Sequence, residues 1–452
     1  MSLHVSARRI PACLLIAVLL VAAAGIGEAA EGARSEEPRA SQMIGGAVRL
    51  STGPKREISP AVAFNAEDSE YLVVWEDWRD SLGGSGRGKD LYGRRVDATG
   101  ARHGIFRISS ATDTYDDDNP SVAWNAIDDE FLVVWARSSN IWDPGRTDEI
   151  YGRRMKGDGT FLGPSFRISG PVEFGGVSHP AVAWNTVDHQ FLVVWNDGRN
   201  DDSLIYGRRI NADGAFLGAE FRIGGPRATE TFRPAVAFDA TRTEYLVVWE
   251  DDRNYDDRRG DIYACRIDAD GTPLGNDLRV SGPNAVENDW DPYVAWNAAL
   301  DQYLVVWDDG RNWEDRGSDI YGVLLKGADG SRLGGDVLLV HPVYNVLSDY
   351  VGGLAWNPIS GKYLMTYQDW SLDLIYGWDI YGQRITAEGK RLGNKFRIIP
   401  PKGSEEVDLT DDTEGVLAWN NVDNEYLVVW VDYRLEGTSA FNLDIWARRV
   451  AG

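Results

Sequence analysis

The chain has 452 residues, 26% of them charged, and a formal net charge of −24. That acidity repels phosphate backbones and anionic lipid, which argues against nucleic acid and an anionic membrane surface as partners and leaves cations, cationic proteins and neutral glycans open. A hydrophobic content of 43% with 18 Trp is that of a packed chain, far from a disordered composition.

Residues 1–30 read as a secretory signal. Arg8 and Arg9 form a basic start, Leu14 to Ala24 a short apolar core, and Gly27-Glu28-Ala29 small residues before a cut near Ala30. The apolar core is too short to span a bilayer comfortably, and no other stretch is long enough, so no membrane insertion is expected after cleavage. The product is expected to be secreted, periplasmic or displayed on the cell surface. Cleavage removes Cys13 and leaves Cys265 alone, so no intramolecular disulfide is expected. Residues 31–45 are polar and read as a flexible leader.

Residues 46–452 are one repeating domain. Tyr71-Leu72-Val73-Val74-Trp75 returns as Phe131–Trp135, Phe191–Trp195, Tyr245–Trp249, Tyr303–Trp307, Tyr363–Tyr367 and Tyr426–Trp430. The aromatic residues that precede these runs (Phe64, Trp124, Trp184, Phe238, Trp296, Trp356, Trp419) are 54 to 63 residues apart. β-branched and aromatic side chains fit a pleated surface, so each run is a strand. The first unit predicts four: Pro60–Phe64, Glu70–Glu76, Leu91–Val96 and Phe106–Ser109. Turn residues such as Ala212-Asp213-Gly214 separate the third from the fourth in other units. Four short antiparallel strands repeated seven times predict an all-β fold, a seven-bladed β-propeller.

The last unit runs out after its third strand, Asp444–Val450. Ala47-Val48-Arg49-Leu50-Ser51 stands before the first unit and resembles Phe106-Arg107-Ile108-Ser109. The N-terminal segment is therefore expected to supply the outer strand of the seventh blade and close the ring. The whole unit, running through Asp-x-Arg, Asp-Ile-Tyr-Gly-Arg-Arg, Asp-Gly-x-x-Leu-Gly and Phe-Arg-Ile-Ser, resembles repeats of exported bacterial propeller proteins, most of them uncharacterised. The resemblance covers about residues 46–452 and implies the fold, not an activity.

A residue present in every blade builds the blade, whereas a site breaks the repeat. Asp-x-Arg follows the second strand at Asp77/Arg79, Asp197/Arg199, Asp251/Arg253, Asp309/Arg311 and Asp432/Arg434, and is expected to staple its own loop. Blade two has Arg137 and Ser139 there. The paired arginines of the third strand, such as Arg94-Arg95, are expected to pair internally with second-strand carboxylates such as Glu76. Asn65, Asn125, Asn185, Asp239, Asn297, Asn357 and Asn420 are expected to cap hairpin turns. The acidic stretches Asp113–Asn119 and Asp251–Asp261 raise the question of calcium but lack a calcium-loop pattern. No resident cofactor is expected, with calcium the one ion left open. His103, His179, His189 and His341 are scattered and suggest neither a catalytic triad nor a metal site.

The connections from second to third strand and from fourth to first are long and varied, and they share one face of the ring. Binding on a rigid frame tends to sit in such loops. They carry unrepeated aromatics, of which Trp78, Trp142, Trp290, Trp313, Trp370 and Trp378 are the ligand-binding candidates, with Tyr115 and Tyr255 beside them. Blades five and six depart furthest, through Val323-Leu324, Val337–Val340 and the insertion Ser371–Tyr376, and read equally as a docking surface or as sequence drift. The leading expectation is non-catalytic recognition of a glycan or a partner protein on the long-loop face. The alternative is a polysaccharide-acting glycoside hydrolase or lyase, which needs two carboxylates about 5–9 Å apart. A structural subunit of a larger assembly is the third reading.

Overall fold

The computed structural model describes residues 42–53, 55–79, 88–110, 115–139, 147–170, 172–173, 176–199, 203–341, 348–370, 378–399, 412–432 and 443–452. They form seven antiparallel sheets. The first contains Glu57–Asn65, Glu70–Asp77, Asp90–Asp97 and Arg102–Arg107, in that spatial order. Each later sheet repeats this meander. In the second, two short strands, Phe166–Arg167 and Val172–Glu173, share the outer position. Inner strands pack against their neighbours around the ring, and Asp412–Asn420 of the last sheet meets Glu57–Asn65 of the first.

The repeated motif forms strands buried on both faces. Tyr71, Leu72, Val73, Val74 and Trp75 are all completely buried. Alternation sends Tyr71, Val73 and Trp75 toward Leu427 and Val429 of the seventh blade. Leu72 and Val74 turn instead toward Phe131, Val133 and Trp135 of the second. A strand with a neighbouring blade on each side needs apolar residues at every position, hence the unbroken run. Small residues such as Ala61 and Ala63 keep the inner strands slim enough to converge.

The ring closes as expected. Met43–Arg49 pairs antiparallel with Asp444–Ala451, Met43 opposite Val450 and Arg49 opposite Trp446. The strand begins at Met43, inside the stretch read as leader. The Leu50 N–H donates to the Ile445 carbonyl at 2.7 Å, and Ser51 Oγ accepts from the Ile445 N–H at 2.8 Å. Residues 1–30 lie outside the described residues.

The apolar departures in blade five form no docking surface. Val323, Leu339 and Val340 are buried, and Leu324 and Val337 pack against the core. The insertion Ser371–Tyr376 lies outside the described residues.

Candidate functional site

The repeated charges build the blades. The Asp77 carboxylate accepts from Trp75 Nε1 at 3.3 Å and from Arg79, whose guanidinium lies 4.0 Å from the Tyr92 ring centroid. Blades three, four and five repeat this Trp–Asp–Arg–Tyr stack through Asp197, Asp251 and Asp309. Blade two keeps it with the carboxylate moved to the inner strand and the arginine brought onto the second strand. Asp117 on the inner strand accepts from Trp135 Nε1 at 2.7 Å and from Arg137, which stands where other blades have aspartate. Blade six substitutes Lys395, paired with Asp369 and lying over Tyr381. Arg434 lies outside the described residues.

The paired arginines bind neighbours, but not through Glu76. Arg94 Nη1 donates backward to the Leu50 carbonyl at 2.5 Å, and Arg153 likewise to Ile108 at 2.7 Å. Arg95 pairs with Glu70 at 2.6 Å, at the far end of the second strand from Glu76. Pairing with a second-strand carboxylate is thus found, at Glu70 rather than Glu76, because a pleated strand carries residues six apart to opposite ends. The turn asparagines cap as expected: Asn65 Oδ1 accepts from the N–H groups of Glu67 and Asp68 at 2.8 and 3.0 Å. Cys265 fills the first arginine position of blade four, buried, and burial pushes its thiol up to about 12.

The unrepeated chemistry sits on the inner strands. Each carries a bulge near its start, where the register slips, as between Ile58 and Ala61. The residue there has φ between 49° and 58° in six blades: Ser59, Asn119, His179, Arg233, Asp291 and Glu414. Blade six slips at Gly352. A bulge bends a strand and re-aims a side chain, and non-glycine residues rarely hold positive φ without a reason. The backbone feature repeats seven times while the side chain differs every time, at the long-loop mouth of the central channel.

Neighbouring blades stitch these bulges together. The Ser59 N–H donates to Glu414 Oε2 at 2.6 Å, and the Asn119 N–H to Glu76 Oε1 at 3.0 Å. Lys89 Nζ lies 2.8 Å from Asp118 Oδ2 and 3.5 Å from Glu76 Oε2. Arg233 pairs with Asp291 across the fourth and fifth blades. The Val351 N–H donates to Asp308 Oδ1 at 2.8 Å. Burial, reinforced by Glu76, raises the Glu414 carboxyl to about 7, against the opposing pull of the Ser59 N–H, Arg56 and Arg233. Arg233 and Glu414 act on each other from blades three apart, which places both groups at the channel. Burial also raises Glu76, with Asp118 adding to it and Lys89 opposing. Tyr293 stands where most blades have a small residue and is raised by burial, then by Asp291 and Asp308.

The six tryptophan candidates do not form one platform. Trp290 and Trp313 meet edge to face, centroids 5.9 Å apart. Trp78 is held between Arg56 and Lys89, each 5.5 Å from its ring centroid. Trp378 packs on Tyr350 at 5.2 Å. Trp370 is opposite Trp378 in the backbone register, and its side chain lies outside the described residues. Trp142 also lies outside them. Glu414, Glu76, Arg233, Asp291 and Tyr293 were missed from the sequence. The available signal was the variable residue before Pro-Ala-Val-Ala and its relatives, as in Arg233-Pro234 and Asp291-Pro292.

Among the described residues, no group of three or more His, Cys, Asp or Glu is placed to hold a metal ion. In the acidic stretches, Asp117 and Asp118 face Arg137 and Lys89, and Asp251 and Asp261 face Arg253 and Arg279.

No protein-family model and no curated protein matches the chain. Among solved structures, it is similar to an ulvan lyase described as a new family of polysaccharide lyase, at a TM-score of 0.53 and 10% identity over 90% of this chain and 93% of that one. It is also similar to a mutant α-L-arabinofuranosidase of Fusarium graminearum in complex with an iminosugar inhibitor, at 0.50 and 11% over 90% and 97%. At such identity the likeness is one of fold. These two neighbours are a polysaccharide lyase and an α-L-arabinofuranosidase, which counts against the expectation of recognition without catalysis.

Proposed function

We propose that the protein hydrolyses a neutral polysaccharide at the mouth of its channel, with Glu414 as the general acid–base group. The observation that carries this is the Glu414 carboxyl itself, raised to about 7 inside a ring of unrepeated polar residues. A carboxylic acid still protonated near neutral pH can protonate a glycosidic oxygen as the bond breaks. Asp291, ion-paired with Arg233, is the second carboxylate, serving the sugar carbon or the attacking water. The net charge of −24 disfavours a polyanionic chain and supports a neutral one. The signal-like residues 1–30 support action outside the cytoplasm.

The test is release of reducing ends from arabinan, xylan, glucan and mannan by the full mature chain. Glu414→Gln should lower turnover on the active polymer by roughly 10²–10⁴-fold while the melting curve stays cooperative. Because the acid must be protonated, activity should fall as pH rises through about 7. Wild-type turnover by the Gln variant, unsaturated product ends, or no release from any of the four would overturn the proposal.

A further inference from the structure

We propose that the corner between Trp290 and Trp313 is a sugar-binding subsite, gripping the chain where it leaves the channel mouth over the fifth blade. Its ligand class rests on the hydrolase reading; its existence as a site does not. Glu287, Asn288, Trp290, Gly310 and Trp313 line a cavity of about 160 Å³. The two indole planes stand 68° apart and form a corner, and Trp313 is 52% exposed. Of the other candidate rings that are described, Trp78 lies between two cations and Trp378 packs on Tyr350.

Three features shape the pocket. Trp290 Nε1 is buried and has no hydrogen-bond partner in the protein. A buried N–H is nearly always paired, and the indole that carries this unpaired donor lines the cavity. Gly310 keeps the space open: a Cβ there would lie 2.7 Å from the Asn288 carbonyl and 3.2 Å from the Trp290 ring. Blade three shares the glycine, as Gly198, whereas blades one, two, four, six and seven carry Trp78, Ser138, Asp252, Trp370 and Tyr433 at that position. The backbone beneath Trp313 is pinned, its N–H donating to the Gly310 carbonyl at 2.8 Å and its carbonyl accepting from the Gly317 N–H at 3.1 Å. A sugar ring offers an apolar C–H face to an indole and hydroxyls at its edge, where the Glu287 carboxylate and the Asn288 amide wait. Trp290 immediately precedes Asp291 of the mouth ring, so corner and channel are adjacent stations for one extended chain.

The experiment titrates arabino-, xylo-, cello- and mannohexaose calorimetrically into Glu414→Gln protein, which can bind without cleaving. At least one should bind. Adding Trp313→Ala should weaken it roughly tenfold or more, and Trp313→Phe should recover part of the loss. In the active enzyme, Trp313→Ala should raise KM for the hexaose more than for the disaccharide. Binding without turnover by the wild type would sink the hydrolase reading and leave the subsite standing. Hexaose affinity and KM indifferent to both Trp313 variants, or no hexaose binding at all, would overturn the subsite.

Discussion

The outer part of each blade and the mouth of the channel both bury charge, and they use it in opposite ways. In the Trp–Asp–Arg–Tyr stacks of blades one to five each carboxylate has a cation and an indole N–H within reach, as at Asp309, where Trp307 and Arg311 both donate. At the mouth, Glu414, Glu76 and Asp118 crowd together with Lys89 and distant arginines as counterweight. The first arrangement recurs around the ring and survives even the move of its carboxylate to the inner strand in blade two. The second uses a bulge that recurs, yet no two blades place the same residue on it. A repeat can hold geometry constant while freeing a single position per blade, and the freed position is where one-off chemistry accumulates.

The largest effect should come from removing what holds the whole ring. Deleting residues 42–50 strips the outer strand from the last blade and should lower the melting temperature by roughly 5 °C or more, with loss of a single cooperative transition. An unchanged calorimetric melt would mean that the terminal pairing seen at Met43–Arg49 is dispensable. Next comes the rearranged stack of blade two. Asp117→Ala strands Arg137, which is only 6% exposed, and should cost about 3–5 kcal/mol in urea unfolding. The Asp117→Ala/Arg137→Ala double variant should recover part of that. Equal loss in single and double variants would show that the stack is held by its ring contacts alone.

The blades, their number and their closure were all legible in the sequence, because a both-face-buried strand needs the apolar run that Tyr71–Trp75 writes and repeats. The stapling role of Asp77 and Arg79 was legible for the same reason. The mouth was not. Ser59, Asn119, Arg233, Asp291 and Glu414 lie inside strands, and a strand reading assigns its residues alternately to the two flanking blades. The bulge inserts a residue that belongs to neither side, and nothing in a single unit announces it. Only the seven units laid side by side isolate that position, just before Pro60, Pro120, Pro180, Pro234 and Pro292. Of the aromatics read as loop residues, Trp290 and Trp378 stand on strands, and the edge-to-face meeting of Trp290 with Trp313 depends on packing that residue type does not reveal.

Glu57 tests whether the closure shares the mouth's unbalanced charge. It is fully buried beside Ser51, with Asp77 and Asp444 nearby, and its carboxyl is raised to about 8, chiefly by burial. A carboxyl raised on folding favours the protonated form. Its contribution is intact below about 4.5 and is lost as pH rises through about 8. Urea unfolding should therefore find the wild type a few kcal/mol less stable at alkaline than at mildly acidic pH, by the linkage between proton uptake and folding. Glu57→Gln should flatten that slope, and a slope of the same size in the variant would assign the pH dependence to other groups.

The smallest effect expected is at the backward-reaching arginines, and it sharpens the comparison from the other side. Arg153 donates to the Ile108 carbonyl of the preceding blade and lies over the Phe161 ring at 3.6 Å. Blade four has Cys265 at the matching position and still packs into the ring, so this contact is an addition to closure rather than a condition of it. Arg153→Ala should cost about 1 kcal/mol, the size of one net hydrogen bond. A loss several times larger would mean that blade four is tolerated only because its neighbours compensate. The repeat would then be less modular than its sequence period implies, with each blade's stability set by the arginines on either side.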